Sequence, residues 1–214
     1  MKQKHAVHLA VRRAARRLAA LAAGLALSFA AQAQTDLWSE SYRLEGLGRY
    51  AEAQAQIAPL ATRQPAHEFA LIRSAWLQYL QGSHAEAEAQ YQRALALNSR
   101  SIEAALGVML PQMAQYRWAD AIKSGRKVLA NSPWDYTAHV RIMICEEATS
   151  RWDELAKHAA EVSSRYPTDA TLLVYWARAE SALRNTRRAR ELYAQVIERV
   201  PGHAEATKYL KAAQ

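Results

Sequence analysis

Between residues 50 and 200 the apolar positions fall three and four residues apart, and nowhere in the alternation by two that a half-buried strand needs. Ala53, Ile57 and Leu60 form the first set, and Ala87, Tyr91 and Ala94 the second. Ala121 with Val128, Leu155 with Val162, and Ala189, Tyr193 and Val196 follow. Such steps keep the side chains on one face of a helix while polar residues occupy the other, so each set predicts an amphipathic helix. Alanine at the first site of most sets lets two helices approach closely, and a larger residue four positions on fills the neighbouring groove.

The sets themselves repeat. Pro65, Pro133, Pro167 and Pro201 share one register of 34 residues, and Ser99 fills the slot between the first two. Proline cannot continue a helix and biases its predecessor away from α, so each marks where a helix stops. Five contiguous units result, 34–67, 68–101, 102–135, 136–169 and 170–203, and 204–214 is too short for a sixth. Its mixture of alanine, lysine and leucine predicts a helix capping the last apolar face. The third unit carries Gly107 and Pro111 inside its first helix, where a kink is expected, and Gly125 where the second helix usually has a large side chain. Ala159 stands at that large-residue site in the fourth unit, so a thinner interface is expected there.

In these units a glycine or small residue precedes an aromatic, then alanine, an aromatic, alanine and proline follow at fixed spacing. The stretch from Gly82-Ser83-His84 through Ala87 and Tyr91 to Ala94 carries the pattern best, departing mainly at His84. The pattern resembles the tetratricopeptide repeat, and the resemblance covers 34–203. It implies an all-α fold, a right-handed solenoid of five helix–turn–helix units plus the short capping helix. It further implies that the first helices line a concave groove that takes a partner polypeptide. Carried over by position, the groove residues are Trp38, Tyr42, Phe69, Arg73, Trp76, Tyr79, Leu106, Leu110, Met113, Val140, Arg141, Ile144, Glu147, Val174, Tyr175 and Arg178. Aromatics beside arginines suit a peptide, because they combine rigid contact area with charge-assisted donors. The same aromatics would stack on sugar rings, so a glycan-binding solenoid is the alternative, and a self-associating array is another.

Composition agrees with helices: 7 glycines, 6 prolines and 2 phenylalanines in 214 residues. The formal charge of +8 changes the picture less than it first appears to. Six of those charges (Lys2, Lys4, Arg12, Arg13, Arg16 and Arg17) stand in residues 1–33, which contain no carboxylate, and +2 remains on the rest. That remainder has no long-range field for phosphates, so no nucleic-acid partner is expected. The basic stretch ends at Arg17, an apolar run spans Leu18 to Ala30, and Ala31-Gln32-Ala33 gives a small-x-small site. Residues 1–33 are therefore expected to be a secretory signal peptide cut after Ala33, touching the membrane only in transit. The mature chain is expected in the periplasm or outside the cell.

Catalysis needs a nucleophile, base and orienter, or metal ligands, at converging spacing. His67, His84, His139, His158 and His203 are dispersed along the repeats, with no cysteine or carboxylate at metal-ligand spacing. Met109, Met113 and Met143 with Cys145 read as core filler, and Glu146-Glu147 as a solvated face. No catalytic residue, metal or cofactor is expected.

Overall fold

The computed structural model describes residues 37–63 and 66–212, so the leader expected over 1–33 lies outside the described residues. Eleven helices follow one another, with no strand among the described residues. They are α1 (37–46), α2 (Tyr50–Thr62), α3 (Glu68–Leu80), α4 (His84–Leu97), α5 (Ile102–Ala114) and α6 (Trp118–Asn131). Then come α7 (Tyr136–Ala148), α8 (Trp152–Arg165), α9 (Ala170–Ala182), α10 (Thr186–Arg199) and α11 (Ala204–Ala212). From α3 onwards both the first and the second helices start 34 residues after their counterparts in the preceding pair.

The period is written into the helix ends as well. His67, Ser101, Asp135 and Asp169 are the N-caps of α3, α5, α7 and α9, and each side chain accepts from the backbone amide three residues on. The cap satisfies one of the orphan amides of the first turn. The second helices lack side-chain caps. Three of them instead begin beside an arginine, Arg49, Arg117 or Arg151, that pairs with an acid of the first turn, Glu52, Asp120 or Glu154. α5 runs unbroken through Pro111, and α2 likewise through Pro59.

Each pair buries its stripe against the next. Leu71, Tyr91, Ala94, Ala104 and Val108 join α3, α4 and α5, and Met109, Ala121, Ile122, Ile142 and Cys145 join α5, α6 and α7. Met143, Leu155, Val162 and Leu172 continue through α9, and Leu173, Tyr193, Val196 and Ala206 reach α11. α11 places Ala206, Tyr209 and Leu210 on that last face, as a cap should. First helices touch one another in sequence, α3 to α5 to α7 to α9, whereas the second helices meet at most marginally. The first helices thus form the inner, crowded row of an α-solenoid. At Gly125, where a large residue is usual, the tips of Ile142 and Met109 occupy the space a Cβ would need. Within the fourth pair, α7 and α8 meet along the sparsest seam of any such pair, with Ala159 buried between them.

Candidate functional site

The inner row encloses a hollow of about 910 Å³. α1 contributes Tyr42 and Glu45, α3 contributes Phe69, Arg73 and Trp76, α5 contributes Leu106 and Leu110, and α7 contributes Thr137 and Arg141. Six of the residues expected in a groove are therefore brought together here: Tyr42, Phe69, Arg73, Trp76, Arg141 and, from the longer set, both Leu106 and Leu110 beside them. Phe69 and Tyr42 are exposed, and Trp76 stacks on Tyr79 at 5.6 Å. The wall is thus largely aromatic and aliphatic, interrupted by a few polar groups, which is the make-up of a ligand site.

Charge in the hollow is unevenly satisfied. Arg73, although lining it, is 4% exposed and spends its donors inside the protein, on Ser41 and on Glu45, while its guanidinium covers the Tyr42 ring at 3.9 Å. Glu45 also accepts from the Trp76 indole at 2.7 Å. This buried pair fixes α1 against α3 and orients the Trp76 ring, so Arg73 serves as a strut and not as the free donor the sequence led us to expect. Arg141 is different. One of its nitrogens donates to the Leu106 carbonyl at 2.6 Å, and it has no carboxylate partner among the described residues. Burial pushes its pKa below the ordinary arginine value, with nearby Tyr91 and Tyr79 acting in the other direction.

Tyr91 enters the hollow from a second helix, α4, because of Gly107. An added Cβ on Gly107 would sit 2.1 Å from the Tyr91 ring, so only glycine lets the ring lie across α5. The side chain is 2% exposed, and burial raises its pKa; its hydroxyl has no hydrogen-bond partner among the described residues.

The remaining expected groove residues lie elsewhere. Trp38 packs on the core around Leu44, Ile57 and Leu77, with its ring 5.0 Å from Phe69, so it belongs to the wedge between α1, α2 and α3. Tyr79 is sandwiched between Trp76 and His84, and Met113 rests on the Met109 cluster. Val174 is buried against α10, because the fifth position of a unit turns toward the second helix. Tyr175 is half-buried in the α7–α9 core beneath Arg178, whose guanidinium lies 5.6 Å from its ring. Arg178 bridges Glu147 at 3.3 Å and Glu205 at 2.5 Å. Tyr193 also donates to Glu205. The bond to Glu205 raises the Arg178 pKa and lowers that of Glu205. This web closes the C-terminal end of the inner row with charges already neutralised.

Several lining residues escaped the sequence reading. Glu45, Glu103 and Thr137 occupy groove register positions, but a search for aromatics and arginines passes over them. Tyr50 and Tyr91 stand on second helices, and the only written trace of Tyr91 reaching the hollow is Gly107. Two other expectations are corrected. Glu146 is not solvated: it is 4% exposed and bonded to His158 Nδ1 at 2.9 Å. His158 Nε2 lies 2.8 Å from His139 Nδ1, whose Nε2 faces the Pro133 carbonyl at 2.9 Å. Two histidines 19 residues apart are joined because α7 and α8 run antiparallel and face each other there. Cys145 is buried, and burial lifts its thiol to about 11, which leaves it unreactive. No group of three or more His, Cys, Asp or Glu among the described residues is placed to hold a metal.

No family model and no curated protein matches the chain. Solved structures do. A tetratricopeptide repeat protein from Parabacteroides merdae superposes with a TM-score of 0.73 at 15% identity, over 85% of this chain and 72% of that one. YrrB, described as a TPR protein with an unusual peptide-binding site, gives 0.67 at 15% identity over 82% and 90% of the two chains. The thermophilic TPR protein TTC0263 of Thermus thermophilus gives 0.60 at 16% identity over 84% and 98%. At such identities the likeness is one of architecture, and the architecture of this chain is that of the tetratricopeptide-repeat proteins.

Proposed function

We propose that the chain is an exported adaptor that holds a segment of a partner polypeptide in the hollow of its inner helix row. The observation that supports this reading is the hollow itself: about 910 Å³, spread over four consecutive first helices, walled by Tyr42, Phe69, Trp76 and Leu106. An apolar wall of that length suits an extended chain, whose side chains would be gripped in turn. Export is inferred from the basic and apolar leader and its Ala31-Gln32-Ala33 site. No helix among the described residues is long and apolar enough to cross a membrane. The setting we propose is the cell envelope, in the assembly of its components or in polysaccharide export.

A photo-crosslinking residue placed at Leu106, inside the hollow, is expected to capture a protein partner in intact cells, and one at Lys123, on the outer row, is not. Trp76→Ala should weaken that capture roughly tenfold, the usual effect of losing a central aromatic anchor. Equal capture from both positions would overturn the groove. Mass spectrometry of the mature protein should find Gln34 at its N-terminus, and an intact leader in the mature pool would overturn cleavage.

A further inference from the structure

We propose that the hollow selects a segment carrying an acidic side chain among apolar ones, and that Tyr91 and Arg141 receive its carboxylate. The inference rests on the peptide-binding reading above and deepens it. Three arginines face the inner row, and two of them are already matched: Arg73 by Glu45, Arg178 by Glu147 and Glu205. Arg141 alone of the three is left with a neutral acceptor, the Leu106 carbonyl, which occupies one of its five donors. A half-buried guanidinium without a counter-charge is costly, and an incoming carboxylate removes that cost.

Tyr91 supplies the second donor. Its ring is held across Gly107, and its hydroxyl, unpartnered among the described residues, opens on the same hollow. A buried hydroxyl without a partner is as rare as an unpaired charge, and both faults lie on one floor. The electrostatic influence that Tyr91 and Arg141 exert on each other places their polar ends in one neighbourhood. A carboxylate there accepts from the Tyr91 O–H and from Arg141 N–H groups, two charge-assisted bonds in a site screened from water. The depth of Tyr91, 2% exposed, favours a carboxylate on the end of a side chain over one that ends a backbone. Glu103, exposed on the rim, bears no ion pair with Arg141 and repels an acid arriving by its side.

The test pans a phage-displayed random-peptide library, in which no peptide has a free C-terminus, on the mature protein and on Arg141→Gln and Tyr91→Phe. Tyr91→Phe keeps the ring on Gly107 and removes only the hydroxyl, and thermal melts confirm that both variants fold. Wild type is expected to select peptides with Asp or Glu beside aromatic or aliphatic residues. Both variants should keep the apolar preference and lose the acidic one. For one selected peptide, Arg141→Gln should weaken binding about tenfold, and the same peptide with its acid changed to the amide should be indifferent to that substitution. Glu103→Gln should tighten the acidic peptide by about twofold. An undiminished acidic preference in Arg141→Gln, or selection of apolar peptides without acids by wild type, would overturn the carboxylate site and leave the groove standing. Recovery of no peptide at all by wild type would overturn the groove, and the carboxylate site with it.

Discussion

The tightest residue-level demand in this fold is a backbone angle. In the turn between first and second helices, Gly48, Gly82, Tyr116, Ser150 and Arg184 follow one another at intervals of 34 residues, all with φ between 55° and 78°. Glycine adopts that left-handed region freely, and side chains with a Cβ do so at a cost of about 1–2 kcal/mol. Space is not the issue, since a Cβ on Gly48 or Gly82 would meet nothing within 4 Å. Ser150→Gly is therefore expected to stabilise the protein by about 0.5–1 kcal/mol after the greater freedom of the unfolded glycine is deducted, and Gly82→Ala to destabilise it by a similar amount. Urea unfolding of the pair checks the sign, and a loss of stability in Ser150→Gly would refute the account. The positions themselves were legible in the period of the sequence. The role of Arg73 was not, because a register that says where a residue points does not say whether a carboxylate 28 residues earlier in the chain has already claimed it.

Among the helices, α7 shows how an element can be legible in outline and opaque in its chemistry. Its start at the Asp135 cap and its apolar Ala138, Ile142 and Met143 follow the repeat. Its buried His139 and Glu146 break the rule that polar residues face water, and only the antiparallel placement of α8 reveals their partner, His158. The Pro133 carbonyl must accept from His139 Nε2, so neutral His139 offers its Nδ1 lone pair to an N–H on His158. Burial, and next to it the charge of His158, holds the His139 pKa below the usual histidine value; Asp135 and Glu161 pull weakly the other way. A group so shifted contributes stability that is complete above about pH 6.5 and is lost as pH falls through its folded value. Stability measured by denaturant should thus drop between about pH 7 and pH 5, and His139→Gln should flatten that slope relative to wild type. An unchanged slope in the variant would assign the loss to other groups.

At the scale of the whole molecule the solenoid is one-dimensional: each pair leans on its neighbours, so a change at one end stays there. α11 has no pair beyond it and is held by Ala206, Tyr209 and Leu210 and by the web of Arg178, Glu205 and Tyr193. Arg178→Met should loosen α11 by about 1 kcal/mol, the worth of a partly exposed network, and speed hydrogen exchange of its amides roughly fivefold while α3 and α4 stay unchanged. Faster exchange throughout the chain would refute local anchoring. The overall architecture was readable because a five-fold repeat multiplies a weak signal, whereas the hollow depends on single departures from the repeat, such as Gly107, that nothing else in the chain echoes. One further property follows from the inner row being joined helix to helix while the outer row is not. The least costly deformation is a slight spreading of the outer edge, as ribs of a hand fan open about a stitched hem. Curvature can then adjust by small rotations shared among all five pairs, and cargoes of unequal girth can be clasped without any single joint giving way.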